Sequence, residues 1–231
     1  MAGLLHFSGR SRAARPRQCN AQTSEVRMTP VIWLLGLSGS GKTTLGSLVR
    51  LFLEGQGVET EFVDEDHFCR QAGLAGSAPH ERTTAVNALR DQAMQCHAQG
   101  RVCIVAATTP YSGMRQKNRE NLPLYHEVWV RCALQTLVNR DTRGLYAKAG
   151  QSHVPGLSGL TDRFDEPLHA DHIIDTDKHD LAESYLILRN LALDALSKAR
   201  NWNRLAQALP STVLPSTVLP PMPARERCIA L

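Results

Sequence analysis

The chain of 231 residues is 42% hydrophobic and 21% charged, which predicts one globular domain with a sizeable core. No apolar run reaches the roughly 18 residues that a membrane-spanning helix needs, so we expect no membrane partner. The formal charge of +4 resides in residues 1–27, where five arginines accompany one glutamate. The remainder carries no net charge, which argues against a basic nucleic-acid-binding protein.

Both ends differ in composition from the rest of the chain. Residues 1–27 are rich in arginine and lack apolar periodicity, a composition shared by organelle transit segments and by disordered extensions. Near the other end, the segment PSTVL occurs twice in succession and more prolines follow, which opposes helix and strand alike. We therefore predict a basic disordered extension over 1–27, a folded domain over 28–200 and a Pro-rich tail over 201–231.

The six cysteines indicate the redox environment. No pair has a spacing typical of metal ligands or of redox-active motifs, and a chain of this length needs no disulfide framework. A reducing cytoplasm is the simplest interpretation.

Strand-like and helix-like segments alternate along the folded part. The predicted strands are 31–35, 59–63, 101–107, 126–130 and 172–175. The predicted helices are 42–54, 80–98, a short one that ends at 140, and 179–196. This alternation predicts a three-layer α/β/α fold around a mostly parallel five-stranded sheet. The glycine-rich residues 141–170 show no clear period, so we expect a lid loop over about 142–160.

A complete phosphate-loop motif follows the first predicted strand and begins the first helix. Its residues are Gly36, Leu37, Ser38, Gly39, Ser40, Gly41, Lys42, Thr43 and Thr44, which satisfy G-x-x-x-x-G-K-[ST]. The glycines allow a tight turn whose N–H groups point at an anion, and the helix N-terminus adds positive potential. Lys42 would contact phosphates and Thr43 would bind Mg²⁺, so the motif predicts binding of a nucleoside triphosphate with Mg²⁺.

Three acidic residues, Asp64, Glu65 and Asp66, follow the second predicted strand. Asp64 and Asp66 are two residues apart and would share a side of an extended backbone. One could orient a metal-bound water, and the other could accept the proton of an acceptor hydroxyl. The alternative is a solvated acidic turn that caps the next helix.

These motifs resemble the adenylyl-sulfate kinase family of the P-loop NTPase superfamily, and the resemblance extends from about Thr29 to Leu196. GLSGSGKTT resembles its phosphate loop, VDEDHFCR its Asp-Gly-Asp-Asn strand end, and TTPYSGMRQKNRE its Ser-Pro-Tyr-Arg segment. NRDTRGLYAKA and VPGLSGLTDRFDEPLHADHIIDT resemble its lid and the segment after it. The resemblance implies phosphorylation of the ribose 3′-hydroxyl of adenylyl sulfate by ATP, in a protein that is commonly a homodimer.

The resemblance also implies residue roles on the ATP side. Lys42 and Thr43 would hold phosphates and Mg²⁺, and Asp64 would serve the metal. Arg140 would stack near the ATP base, as a planar guanidinium can, and Lys148 of the lid would close over phosphate.

On the acceptor side, the resemblance implies that Asp66 faces the acceptor hydroxyl. Three arginines would bind the anionic groups of the acceptor: Arg70, Arg82 and Arg115. Thr109 matches a serine that has been considered a phosphorylated intermediate of catalysis, although direct transfer needs no such intermediate.

The departures from the family pattern concentrate on the acceptor side. Ser77 and Leu157 stand where the family stacks the acceptor adenine between two phenylalanines, and such stacking contributes about 1–3 kcal/mol per base. Further polar or cationic positions are replaced by Ala85, Asn87, Ala88 and Ser112. Two alternatives therefore stay open: a kinase of another nucleotide or small hydroxyl-bearing anion, and a non-catalytic ATP-binding regulatory protein.

Overall fold

The computed structural model describes residues 27–74, 78–141, 144–151 and 157–208. Within these residues, five strands form one sheet: β1 (Val31–Leu35), β2 (Thr60–Asp64), β3 (Val102–Ala107), β4 (Tyr125–Arg131) and β5 (His172–Asp175). The strand order is β2-β3-β1-β4-β5, and every one of these pairs is parallel. The predicted α/β fold with a five-stranded sheet is confirmed, and the described sheet is parallel throughout.

The described part of the chain contains seven helices. They are α1 (Lys42–Gly55), α2 (Glu65–Ala72), α3 (Pro79–Ala98), α4 (Ser112–Asn121), α5 (Leu134–Arg140), α6 (Leu145–Gln151) and α7 (Leu181–Ala208). The sequence analysis predicted α1, α3, α5 and α7 but missed α2 and α4. Both are short and rich in polar residues, and α2 buries no residue, so neither contains the long apolar-periodic segment on which the prediction depended. The third missed helix, α6, lies inside the predicted lid.

The central strand β1 is buried on both faces, as expected for a parallel sheet covered by helices. Val31, Trp33 and Leu35 pack into a core cluster with residues of α3 and α4. Ile32 and Leu34 pack into a second cluster with residues of α1 and α7. The sheet thus separates two apolar layers, and the loops at its carboxyl edge remain to form a site.

Helix α7 continues through Ala208, beyond the predicted helix end at 196 and into the segment assigned to the tail. Asn203 ties it to the entrance of β1, since its Nδ2 donates to the Met28 carbonyl at 3.0 Å and its Oδ1 accepts from the Met28 N–H at 2.9 Å. The folded part therefore extends past residue 200. The predictions for residues 1–26 and 209–231 lie outside the described residues. No helix within the described ranges combines the length and apolarity needed to cross a bilayer.

We expect Asn203→Ala to lower the free energy of unfolding by about 1–3 kcal/mol, because both Met28 backbone groups lose their partner. Urea denaturation would measure the change. Asn201→Ala, at an exposed position of the same helix, is the matched control and should change stability by less than about 0.5 kcal/mol. Equal effects of the two substitutions would show that the Met28 contact does not stabilise the fold.

Candidate functional site

The phosphate loop leaves β1 through a turn that requires glycine. A Cβ on Gly36 would lie 2.3 Å from the Val130 carbonyl oxygen of β4, and the backbone φ there is +148°. Gly41 precedes α1 with a φ of +101°, a left-handed conformation that residues with a side chain rarely adopt. The loop can therefore turn tightly enough to form an anion-binding nest at the start of α1.

Lys42 begins α1 and is 9% exposed. Its ammonium donates to the carbonyls of Gly36 and Leu37, both at 2.9 Å. These contacts hold the cation against the loop that would surround a phosphate. A bound phosphate would compete with the two carbonyls for the same ammonium group.

Thr43 and Asp64 meet in a direct hydrogen bond. The Thr43 hydroxyl donates to Asp64 Oδ2 at 2.7 Å, while Asp64 Oδ1 accepts from the His67 N–H at 3.2 Å. Asp64 therefore caps α2, as the alternative interpretation of the acidic turn expected, and it also contacts the phosphate loop. The hydroxyl and the carboxylate are hard oxygen donors of the kind that Mg²⁺ prefers.

A small cavity of about 180 Å³ joins the phosphate loop to the acidic strand end. Its lining comprises Ser38, Gly39, Gly41, Lys42, Thr43, Thr44, Asp64, Glu65, Asp66, Ala106 and Thr108. Among the described residues, no group of three or more His, Cys, Asp or Glu side chains forms a metal cluster. Mg²⁺ in kinases is usually held by one or two carboxylates together with substrate phosphates, and the Thr43–Asp64 pair fits that arrangement.

Asp66 lines this cavity, but it does so from a helix and not from the extended strand that was predicted. It lies in the first turn of α2, not in an extended strand, so the argument from strand alternation was wrong. The strand-to-helix transition at Asp64 brings both carboxylates to the cavity lining instead.

Glu65, the first residue of α2, points at the end of β3. Its Oε2 accepts from the Thr108 N–H at 2.7 Å. Burial raises the pKa of this carboxyl, while the Thr108 amide and the nearby Lys42 charge oppose that rise. The sequence analysis gave Glu65 no role, because nothing in the sequence showed that it would meet β3.

Two parts of the predicted lid contact the phosphate loop. The Tyr146 hydroxyl of α6 donates to the Ser38 carbonyl at 2.7 Å, and its ring packs with Cys132 and Leu137. Burial raises the pKa of Tyr146 to about 12, so this hydroxyl stays protonated and remains a donor at neutral pH. Gly159 lies against the Leu37 side chain, which a Cβ would approach to 2.8 Å.

Arg140 and Lys148, predicted to serve ATP, lie at exposed positions around the same edge of the sheet. The Arg140 guanidinium at the end of α5 donates to the Thr176 carbonyl at 2.8 Å, which joins the exits of β4 and β5. Lys148 lies in α6, two residues after Tyr146. Both predicted roles stay predictions.

Arg82 lies in α3, and its guanidinium contacts the segment that follows the lid. It donates to the Ser158 hydroxyl at 2.5 Å and lies 3.4 Å from Asp162 Oδ2. The Tyr111 hydroxyl donates to the same carboxylate oxygen at 2.9 Å. An anionic acceptor would therefore meet an arginine whose charge is already partly balanced.

The contacts of Arg115 do not support its predicted role at the acceptor. It is 6% exposed, donates to the carbonyls of Thr109 and Pro110 at 3.3 and 3.4 Å, and lies 3.8 Å from a Glu127 carboxylate oxygen. These are the contacts of a buried arginine that fixes a turn. Arg70 lies exposed in the last turn of α2.

Thr109 is fully buried, which argues against its predicted part in catalysis. Its hydroxyl accepts from the Trp33 indole N–H at 2.8 Å. Its neighbour Thr108 lines the cavity beside the phosphate loop. The Thr109 hydroxyl thus provides the hydrogen-bond acceptor for the buried Trp33 indole. This partner could not be identified from the sequence.

The positions that depart from the family pattern differ in burial and in their contacts. Leu157 is partly buried and packs with Leu37 against the Tyr146 cluster. Asn87 accepts from Arg90 at 2.9 Å within α3, and Ala85 is buried. The prediction for Ser77 lies outside the described residues.

A second cavity, of about 840 Å³, lies between the exit of β4 and the segment after the lid. Its lining includes Leu37 of the phosphate loop, Arg131 and Cys132 at the end of β4, and Asp162 and Arg163. Two cavities thus flank the phosphate loop, a small polar one beside β2 and β3 and a larger one beside β4.

Solved structures confirm the fold. The Mycobacterium tuberculosis APS kinase CysC, solved in complex with AMPPNP and APS, superposes with a TM-score of 0.65 at 24% sequence identity, covering 74% of this chain and 98% of that chain.

Sequence comparisons give the family. A probable adenylyl-sulfate kinase from Archaeoglobus fulgidus is 34% identical over 154 residues, 66% of this chain and 99% of the relative. An adenylyl-sulfate kinase from Chloroflexus aurantiacus is 32% identical over 157 residues, 66% of this chain and 83% of the relative. The adenylylsulphate kinase family model matches residues 28–175. The chain therefore belongs to the adenylyl-sulfate kinase family.

Proposed function

We propose that this protein is an ATP-dependent kinase that transfers the γ-phosphoryl group to the 3′-hydroxyl of adenylyl sulfate, giving 3′-phosphoadenylyl sulfate. One observation carries the proposal: the 2.7 Å hydrogen bond between Thr43 and Asp64 unites the phosphate loop and the acidic strand end in one small cavity. Family membership supplies the reaction class, and the relatives' names supply the acceptor.

The chain's own residues suit phosphoryl transfer, which depends mainly on positioning and charge stabilisation. The loop amides and Lys42 would bind the β- and γ-phosphates, after the ammonium leaves the carbonyls that it now contacts. Thr43 and Asp64 would hold Mg²⁺, which would neutralise charge on the phosphate oxygens. Asp66 would accept a hydrogen bond from the acceptor hydroxyl. Arg140 and Lys148 would border the base and the phosphates of ATP.

A second candidate is a kinase of the same family with another nucleotide acceptor. It is favoured by the Arg82–Asp162 pair, by the burial of Arg115 against Glu127, and by Leu157 in place of a stacking phenylalanine. The two ion pairs leave less free cationic charge for the sulfate-bearing acceptor, and Leu157 removes a stacking face for its adenine. The affinity of the protein for adenylyl sulfate, compared with that for other nucleotides, distinguishes the two candidates.

Cytoplasmic location and a homodimer belong to the same proposal. The described residues include four cysteines with free thiols: Cys69, Cys96, Cys103 and Cys132. Free thiols are typical of proteins in a reducing compartment. Sedimentation analysis would test the dimer.

We expect the purified protein to form 3′-phosphoadenylyl sulfate from adenylyl sulfate and ATP with magnesium, as measured by chromatography of the products. Lys42→Ala should reduce kcat/KM at least about 100-fold, because a cation that stabilises the transferring phosphoryl group is lost. Lys198→Ala, an exposed lysine on α7, is the control. Turnover of a different nucleotide acceptor in place of adenylyl sulfate would favour the second candidate.

We expect Tyr146→Phe to weaken binding of a non-hydrolysable ATP analogue by roughly 2- to 12-fold, the range that one net hydrogen bond supplies. The substitution removes the contact with the Ser38 carbonyl but keeps the ring in its apolar cluster. Calorimetry with magnesium present would measure the affinity. Tyr185 lies on α7 and packs against the core cluster of α1 and α7. Tyr185→Phe is therefore the control and should leave the affinity unchanged. Unchanged affinity in Tyr146→Phe would show that the lid contact does not order the phosphate loop.

A further inference from the structure

Glu65 distinguishes the acidic strand end of this chain from the pattern that it resembles. The family motif is Asp-Gly-Asp-Asn, and this chain has Asp64, Glu65, Asp66 and His67. A glycine at this position brings no functional group to the cavity. Glu65 brings a carboxylate on a side chain long enough to cross from α2 to the end of β3.

The Glu65 carboxylate is held in place within the cavity lining. Its Oε2 accepts from the Thr108 N–H at 2.7 Å, and both residues line the small cavity with Lys42 and Asp66. Thr108 follows β3, the strand that pairs directly with β1. The carboxylate is thus attached to the rigid sheet edge beside the phosphate loop, while α2 supplies only its backbone.

The geometry of phosphoryl transfer limits what can lie beside this carboxylate. The attacking hydroxyl must approach in line with the phosphoryl group held by the phosphate loop. Because residues of that loop line the same cavity as Asp66 and Glu65, we expect the hydroxyl to enter there. A hydroxyl on the neighbouring carbon of the acceptor would enter with it. Asp66 and Glu65 both line this cavity, so two carboxylates are available for two adjacent hydroxyls.

We propose that Glu65 is a specificity-determining residue that accepts a hydrogen bond from the hydroxyl next to the one that is phosphorylated. The acceptor is therefore a vicinal diol, and in the reaction proposed above this second group is the ribose 2′-hydroxyl. The inference rests on that proposed function. A partly buried carboxylate facing an acceptor that lacks this hydroxyl loses a hydrogen-bond partner, and such sites discriminate strongly.

The test compares adenylyl sulfate with its 2′-deoxy analogue. Calorimetry in the presence of magnesium and a non-hydrolysable ATP analogue measures binding of each, and steady-state assays with ATP measure kcat/KM. With the unaltered protein we expect the 2′-deoxy compound to be at least about tenfold poorer in both measurements. With Glu65→Ala the two compounds should differ by less than about threefold.

Two further variants separate recognition from folding. Glu65→Gln retains an oxygen that can accept from the Thr108 amide, and it should lower the discrimination between the two compounds at least about threefold while leaving the melting temperature unchanged. Glu54→Gln, at an exposed glutamate of α1, should keep the full discrimination. If Glu65→Ala does not fold, the Glu65→Gln result determines whether Glu65 causes the discrimination between the two compounds.

The outcomes distinguish this inference from the proposed function. Equal binding of the two compounds by the unaltered protein, or discrimination that is unchanged in the Glu65 variants, overturns the role of Glu65. Unequal binding that the Glu65 variants abolish, without turnover of either compound, overturns the proposed function and leaves recognition of the second hydroxyl by Glu65 supported. Failure to bind either compound overturns both.

Discussion

The hydrogen bond between Thr43 and Asp64 is the contact on which the site depends. The two residues follow β1 and end β2, and these strands are separated by β3 in the sheet. The bond therefore crosses above the end of β3, where Ala106 and Thr108 form part of the same cavity lining. A parallel sheet makes this possible because the carboxyl ends of all its strands lie at one edge. The phosphate loop and the acidic residues become neighbours although 21 residues separate Thr43 from Asp64.

The phosphate loop is also held from its other side. Tyr146 donates to the Ser38 carbonyl, and carbonyl and N–H point in opposite directions across a trans peptide bond. The contact therefore directs the Gly39 N–H away from α6, and Gly39 lines the phosphate cavity. Leu157 and Gly159, which follow the lid, meet Leu37 one residue earlier in the loop. The segments around α6 and Gly159 are thus in direct contact with the phosphate loop.

Internal ion pairs hold two of the arginines that were predicted to bind the acceptor. Arg82 is engaged by Asp162 and Ser158, and Arg115 is buried near Glu127. Burial of a charge is costly unless it is paired, so these carboxylates retain the arginines within the protein. Arg82 instead attaches the segment after the predicted lid to α3, and Arg115 joins α4 to β4. Discrimination by hydroxyl groups, through Asp66 and Glu65, agrees with that distribution of charge.

The sequence alone determined the strand–helix alternation, the five strands and the phosphate loop, because each has a short-range signature: an apolar run, a 3.6-residue period or a glycine pattern. It did not reveal α2 and α4, which are short and polar, or the extension of α7 past residue 196, where Asn203 contacts Met28. Only the tertiary structure decided which polar side chains reach the cavity. Thr109 and Arg115 are buried, and Glu65 accepts a hydrogen bond from Thr108. Strand order and burial, rather than spacing along the chain, determine those neighbours.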